Sequence, residues 1–235
     1  MTTVSEIRPS PIAGAWYEGQ ADRLARAVDG YIAAARLPEL PGKVLAVIAP
    51  HAGHRYSGPV AGYAFAALKD CSPDVVAVLS PMHHLYPYHF ITSAHAAYAT
   101  PLGEIQIDRL LIDELDKNLK RRLGYGLAPV VNDPEHSLEI ELPFLQRAIQ
   151  KDFLLVPVML RQQTRASAQQ MGEALAEILS GKKALLVAST DLSHFHKQAD
   201  ANTLDAAMLA QVEAFSPDGI LRTRRLSCTL LRLRQ

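Results

Sequence analysis

The sequence is poor in cysteine, in net charge and in long apolar runs, and each shortage excludes a class of protein. Two cysteines, Cys71 and Cys228, cannot form the framework of a disulfide-rich secreted domain. The 24 basic residues balance 24 acidic ones, so nothing indicates a surface that attracts nucleic acid or a membrane. No apolar run approaches the roughly 20 residues of a membrane span, and the N-terminus lacks a signal-peptide pattern. We therefore predict a cytoplasmic location, in a reducing compartment.

Several nucleotide-binding and hydrolase motifs are also missing. The chain has no GxSxG, no P-loop and no GxGxxG, which argues against serine hydrolases and nucleotide-binding proteins. What it does have is 235 residues with 49% hydrophobic content, enough for one well-buried α/β domain. We find no internal repeat and no low-complexity linker. A single domain over residues 1–235 is therefore expected.

Apolar runs rich in β-branched residues alternate with amphipathic stretches along most of the chain. The runs predict buried strands at 45–49, 75–79, 153–160 and 184–190. Helical spacing follows or precedes them at 20–36, 59–70, 108–119, 138–149, 167–181 and 201–215. Buried strands separated by helices form βαβ units with parallel pairing. The pattern predicts an α/β fold, with an excursion of shorter strands over 85–107.

Polar turns follow three of these strands. The first strand leads to His51, the second to His83 and His84, and the fourth to Asp191 and His194. Because parallel strands end at one edge of a sheet, these side chains are expected at the same edge. Imidazoles and carboxylates together suit Zn(II) or Fe(II). Without a metal, the same groups could perform acid–base chemistry, with His194 oriented by Asp191.

A fourth polar turn, EHSLE, could add His136 and Glu139 to this pocket. The two residues are three positions apart near the start of a predicted helix, which places them on one face. The alternative is that the acidic groups of this turn only complement the helix dipole.

The single tryptophan, Trp16, is predicted to be a packing anchor.

Five stretches in this order resemble the Memo family, also called AmmeMemoRadiSam system protein B. They are GAWY (14–17), PHAGHRYSG (50–58), SPMHH (80–84), EHSLE with LPFL (135–145) and STDLSH (189–194). The resemblance extends from the N-terminus to about residue 220. It implies a fold similar to the class III extradiol dioxygenases: a three-layer α/β sandwich with a mostly parallel or mixed central sheet.

The resemblance also implies a metal site. Its ligands would be His51, His83 and Cys228, with Fe(II) as the expected ion and Zn(II) or Cu as alternatives. His84 would be a neighbouring or packing group. Tyr56, Asp191 and His194 would be catalytic residues that line the same pocket.

The C-terminus departs from the family pattern. Thr229 stands where the family has a glycine after its late cysteine, and the apolar segment that should follow is missing. We expect a C-terminus that is truncated or altered after about residue 225, in which Cys228 would match the family cysteine only by chance. If Cys228 does not bind the metal, Glu139 or Asp191 would be the nearest anionic substitute.

Two functions are consistent with these observations. The first is a metal-dependent, dioxygenase-like oxidoreductase of unknown substrate. The second is a non-enzymatic protein that uses the same pocket to bind a ligand or peptide, or to take part in signalling. A small molecule or peptide is the expected partner in either case, and the composite family name implies radical-SAM and AMMECR1-type proteins as well. An apolar edge left exposed at the C-terminus would favour a homo-oligomer.

Overall fold

A computed structural model describes the backbone of residues 6–232 and the side chains of residues 6–224. Its strands are β1 (Ile7–Arg8), β2 (Ala46–Ala49), β3 (Val75–Pro81), β4 (Phe90–Ser93), β5 (Ala97–Thr100), β6 (Gly103–Gln106), β7 (Leu127–Val130), β8 (Leu154–Leu160) and β9 (Ala184–Ser189). Its helices are α1 (Ala21–Ala34), α2 (His54–Ala66), α3 (Arg109–Leu123), α4 (Leu142–Ala148), α5 (Arg165–Leu179), α6 (Gln198–Glu213) and α7 (Pro217–Arg232), and a 3-10 turn spans Glu139–Glu141.

The chain forms two compact units. The first contains the chain up to Gln162 together with Gln170–Thr190, and the second contains Gln163–Gln169 and the chain from Asp191 onward. The single domain expected over residues 1–235 stays a prediction. None of the helices within the described residues is long and apolar enough to cross a membrane.

A six-stranded mixed sheet forms the centre of the first unit. Its strand order is β2-β9-β3-β8-β4-β7. Strands β2, β9, β3 and β8 are parallel to one another, whereas β4 is antiparallel to β8 and parallel to β7. With helices on both sides of the sheet, the predicted α/β sandwich is confirmed.

The central strands are buried because their residues are apolar on both faces. Val75, Val76, Ala77 and Val78 of β3 are all buried between β9 and β8. Such continuous apolar runs are typical of parallel strands that are covered on both sides. Four of the strands predicted from the sequence are therefore β2, β3, β8 and β9, and their parallel arrangement is confirmed.

The register of the parallel strands brings three chain segments to one sheet edge. Ala49 pairs with Ser189, and Leu79 pairs with Ala188. The polar segments that follow β2, β3 and β9 consequently leave the sheet at the same level, as the sequence predicted. This edge carries the candidate site.

A second, three-stranded sheet in the first unit has the order β1-β5-β6. Strand β1 is parallel to β5, and β5 is antiparallel to β6. This sheet anchors the N-terminal segment, so that Arg8 of β1 reaches the turn that precedes the 3-10 turn.

Helices α1 and α2 approach each other closely at two glycines. A Cβ atom at Gly62 would lie 2.4 Å from the carbonyl oxygen of Tyr31, and one at Gly58 would lie 2.6 Å from the Tyr31 ring. Only glycine leaves room for this contact, which fixes α2 and the loop before it.

The second unit contains α6 and α7. Before α6, the backbone N–H and the hydroxyl of Ser193 both donate to the Asp205 carboxylate, at 2.9 and 2.6 Å. Phe195 has a φ of 63° and its side chain is exposed. The helix predicted at 201–215 corresponds to α6. Among the described residues of this helix, none is buried.

Candidate metal centre

His51 lies two residues beyond β2 and is buried. Its Nδ1 lies 3.0 Å from the Oγ of Ser189, the last residue of the adjacent strand β9. The Ser189 hydroxyl in turn donates to the carbonyl oxygen of Ser137, at 2.6 Å. Two strand ends and the turn that contains Ser137 are thereby joined behind the imidazole ring.

His83 follows β3 and is held by the carboxylate of Glu135. Glu135 accepts from the His83 backbone N–H at 2.5 Å and from ring Nδ1 at 2.9 Å. The Glu135 side chain is fully buried, whereas 46% of the His83 side chain is exposed. The ring is thus held by a buried carboxylate while about half of the side chain stays open to solvent.

His136 is next to Glu135 in sequence and uses the same carboxylate. Its ring Nδ1 lies 3.2 Å from Glu135 Oε1. Trp16 packs against His136, with its ring centroid 4.1 Å from that of the imidazole. Trp16 does pack, as predicted, but against a candidate ligand and with 38% of its surface exposed.

The carboxylate of Glu135 is ionised over a wide pH range. Burial alone would raise its pKa, but hydrogen bonds from His83 and from the backbone N–H of Ser137 hold the pKa well below its usual range. An ionised carboxylate only accepts hydrogen bonds. The Nδ1 of His83, 2.9 Å from this carboxylate, therefore donates to it, which leaves Nε2 as the atom that a neutral ring would offer to a metal.

The three imidazoles converge. One ring nitrogen from each of His51, His83 and His136 lies within 4.8 Å of the other two. The His83 and His136 rings are nearly parallel, with their centroids 4.7 Å apart. The His51 ring lies edge-on to both of them. This spacing suits a divalent ion bound by three nitrogens, and no other group of three metal-ligating side chains occurs among the described residues.

A buried ion-pair cluster supports the turn that carries His136. Arg8 donates to both carboxylate oxygens of Asp133, at 2.9 and 3.0 Å, and to Glu139 Oε2 at 2.5 Å. Its guanidinium also donates to the backbone carbonyls of Asp133 and Glu135, at 2.9 Å each. The segment on both sides of His136 is thus fixed by one side chain from β1.

Comparison with known proteins identifies the family of this chain. The family model described as Memo-like protein matches residues 8–226. The chain belongs to the Memo family.

Similar proteins occur in archaea and in animals. A MEMO1 family protein of Nitrosopumilus maritimus is 30% identical over 213 residues, which cover 88% of this chain and 75% of that protein. One of Methanothermobacter thermautotrophicus is 31% identical over 224 residues, covering 91% and 79%. The Protein MEMO1 of Xenopus laevis is 29% identical over 201 residues, covering 83% and 65%.

The structure of this Memo-family chain brings together only some of the predicted site residues. His51 and His83 join His136 in the cluster. His84, next to His83, is exposed and is not in the cluster. Tyr56 is 78% exposed, and its ring lies 3.8 Å from where a Cβ at Gly53 would be.

Glu139 is buried and is not part of the histidine cluster. Besides Arg8, its carboxylate accepts from the Tyr17 hydroxyl at 2.8 Å and from the Ser10 hydroxyl. The helix predicted to start near His136 begins only at the 3-10 turn of Glu139. His136 and Glu139 therefore do not share a helical face.

The remaining predicted residues are in the second unit. Asp191 follows β9, and His194 Nδ1 donates to the carbonyl oxygen of Leu192 at 2.8 Å. Cys228 lies in α7, and its side chain is outside the described residues. Their roles as catalytic residues and metal ligand stay predictions.

Sequence reasoning missed the groups that hold the histidines. Glu135 and Ser189 each stand inside a recognised stretch, EHSLE and STDLSH, but only their neighbours were singled out. Arg8 had no signal, because a lone arginine near the N-terminus is most often exposed.

Proposed function

We propose that this Memo-family chain binds one divalent metal ion through the Nε2 atoms of His51, His83 and His136. The observation that carries the proposal is the convergence of three ring nitrogens within 4.8 Å. A carboxylate behind a ligating histidine is the usual partner of its other nitrogen in metal sites. Glu135 supplies it here for His83, and its carboxylate also lies 3.2 Å from the Nδ1 of His136. The donor set fits the ion chemically as well as by distance.

The character of the ligands favours a transition metal or zinc over magnesium or calcium. Neutral imidazoles suit zinc, copper and iron, whereas the hard cations prefer oxygen ligands. We propose Fe(II) as the physiological ion because the fold resembles that of extradiol dioxygenases, with Zn(II) and Cu as alternatives. Three histidines replace the two histidines and one carboxylate of the common non-haem iron site.

We propose that the bound metal serves an oxidoreductase reaction of the dioxygenase type. When bound, the ion would supply open coordination positions for oxygen and an organic substrate. The exposed fraction of the His83 side chain supports this, because it leaves part of the cluster open to solvent. Tyr56 would orient the substrate, and His194, paired with Asp191, would hold or release a proton. For Asp191 and His194 the proposal rests on the resemblance alone.

A second candidate is a binding protein that uses the same surface. It is favoured by the exposed fraction of Trp16 beside His136 and by the exposed Tyr56, since aromatic side chains of this kind form ligand-binding surfaces. A small molecule or peptide would then bind without reacting. The radical-SAM and AMMECR1-type partners remain predictions that rest on the family name.

The metal proposal can be tested with the single tryptophan as reporter. The Trp16 ring centroid lies 4.1 Å from that of His136, so a paramagnetic ion such as Cu(II) bound at Nε2 should quench the tryptophan fluorescence. We expect saturable quenching at one equivalent, matched by one metal per chain in elemental analysis. His51→Ala, His83→Ala and His136→Ala should each abolish high-affinity quenching, and His84→Ala is the matched control. Retained one-to-one binding in all three variants would contradict the proposal.

The catalytic proposal needs a separate measurement. Anaerobic loading with Fe(II), followed by addition of oxygen and a panel of catechols, should give oxygen uptake that requires both iron and substrate. His194→Ala should reduce the rate without reducing the iron content. Iron-loaded protein that consumes no oxygen with any catechol, but binds aromatic ligands, would favour the second candidate.

A further inference from the structure

The hydrogen bonds of Ser189 determine which nitrogen of His51 carries a proton. A serine hydroxyl has one proton. At 2.6 Å from the carbonyl oxygen of Ser137, an atom that only accepts, the Ser189 hydroxyl must donate that proton there. The contact of 3.0 Å between Ser189 Oγ and His51 Nδ1 is then a hydrogen bond in which the ring donates.

We infer that Ser189 is a positioning residue that keeps His51 in the Nδ1–H form and so presents its Nε2 lone pair to a metal ion. The inference rests on the proposed metal site and adds a residue to it. A neutral imidazole ligates only through the nitrogen without a proton, and the hydrogen bond of the other nitrogen selects that form. Free histidine prefers the opposite tautomer, with the proton on Nε2, so the preference must come from the protein.

Ser189 also ties His51 to the other two histidines. Its acceptor, Ser137, directly follows His136, and the Ser137 hydroxyl donates to the carbonyl of Pro81 at 2.6 Å, two residues before His83. The ends of β2, β3 and β9 and the turn are thus joined by the hydrogen bonds of His51, Ser189 and Ser137. Ser189 therefore contributes both the tautomer of one ring and its position relative to the turn.

A neighbouring serine provides a matched control. Ser80 is on β3, which is adjacent to β9. Because Leu79 of β3 pairs with Ala188 of β9, the next residue on each strand, Ser80 and Ser189, lies at the same level. Both serines are buried, at 2% and 4% exposure, but the Ser80 hydroxyl has no hydrogen-bond partner among the described residues. Ser80→Ala removes the same atom from the same sheet edge without touching His51.

The tautomer can be read directly from metal-free protein. Long-range proton–nitrogen NMR correlations distinguish Nδ1–H from Nε2–H rings, and the His51 signals are assigned by their loss in His51→Gln. We expect the Nδ1–H form in the wild type and in Ser80→Ala, a shift toward Nε2–H in Ser189→Ala, and recovery in Ser189→Thr, which keeps a hydroxyl.

The affinity for Zn(II) alone gives the second readout. Losing the partner of a ligating histidine typically weakens metal binding about 10- to 100-fold. We expect this loss in Ser189→Ala, with recovery in Ser189→Thr and no change in Ser80→Ala.

An Nε2–H form of His51 in the wild type would overturn the inference, and so would wild-type tautomer and affinity in Ser189→Ala. Equal loss of affinity in Ser80→Ala would reduce the effect to general packing and overturn it as well. If the wild type binds no Zn(II), the proposed function fails, but the tautomer measurement still decides the role of Ser189.

Discussion

Replacing Arg8 by methionine should cost the fold a large part of its stability. The guanidinium is 1% exposed and pairs with the carboxylates of Asp133 and Glu139, whose side chains are fully buried. Methionine fills much of the volume but leaves both carboxylates without a cation. Breaking a buried ion pair by removing one partner typically costs about 3–5 kcal/mol. Since domains are stable by about 5–15 kcal/mol, the variant should be near the limit of folding.

A matched variant separates the effect of burial from that of the hydrogen bonds. Arg147 makes the same two-bond fork with Asp29, at 2.7 Å for both bonds, but the two side chains are 40% and 46% exposed. Exposed pairs contribute about 0–1 kcal/mol because water competes for both charges. Arg147→Met should therefore cost far less than Arg8→Met, although the exposed pair has the shorter bonds.

Urea unfolding of chelator-treated protein, followed by circular dichroism, measures both variants. Losses of similar size for Arg8→Met and Arg147→Met would refute the argument from burial. Should Arg8→Met fail to fold, Arg8→Lys provides the measurement. It keeps one positive charge but cannot form the fork, so a loss between those of the two methionine variants is expected.

Three further predictions concern pH and backbone packing. Because the pKa of Glu135 is lowered in the folded state, the ionised carboxylate stabilises metal-free protein above pH 4.5, and this stabilisation is lost as the pH falls below 4.5. The free energy of unfolding of Glu135→Gln, measured against pH, should therefore vary less in that range. Burial lowers the pKa of His54 from 6.5, so the unfolded chain takes up a proton more readily than the folded one and stability should fall as the pH drops below about 6.5. The unfolding midpoint of His54→Phe should depend less on pH in this range. Thermal melting should show Gly62→Ala destabilised, because its Cβ meets the backbone of Tyr31, and Gly30→Ala, with open space in mid-helix, stabilised by up to about 1 kcal/mol.

The main sheet could be predicted because its signal is local. Strands β2, β3, β8 and β9 are short apolar runs that include β-branched residues. Burial on both faces explains the runs of β3 and β8, whereas residues of β2 and β9 alternate between buried and more exposed. The common edge followed from the rule that parallel strands end together. The start of the helix after His136 was less predictable. Its helical spacing continues backward, but Glu135 accepts from the N–H groups of His136 and Ser137 and folds the chain into a turn instead.

The site was predictable only as far as its strand ends. His51 and His83 follow apolar runs directly, so their neighbourhood could be inferred. The residues that hold them could not, because their contacts join positions 52, 125 and 138 apart in the chain, for His83–Glu135, Arg8–Asp133 and His51–Ser189. No periodicity carries such information. A buried polar residue looks in sequence like any exposed one, and only the fold provides its partner.

The turn from Asp133 to Glu139 is the element on which the three histidines depend. It contacts β1 through Arg8, the end of β3 through Glu135 and Ser137, and the end of β9 through the Ser137 carbonyl. The strands fix the sheet edge, but a loop after a strand can adopt many conformations. Because this one turn contains His136 and contacts the segments that carry His51 and His83, the conformation of its seven residues sets the distances between the three rings. The ion-pair cluster around Arg8 thereby has a consequence beyond stability, since it holds in place the backbone that aims the ligands.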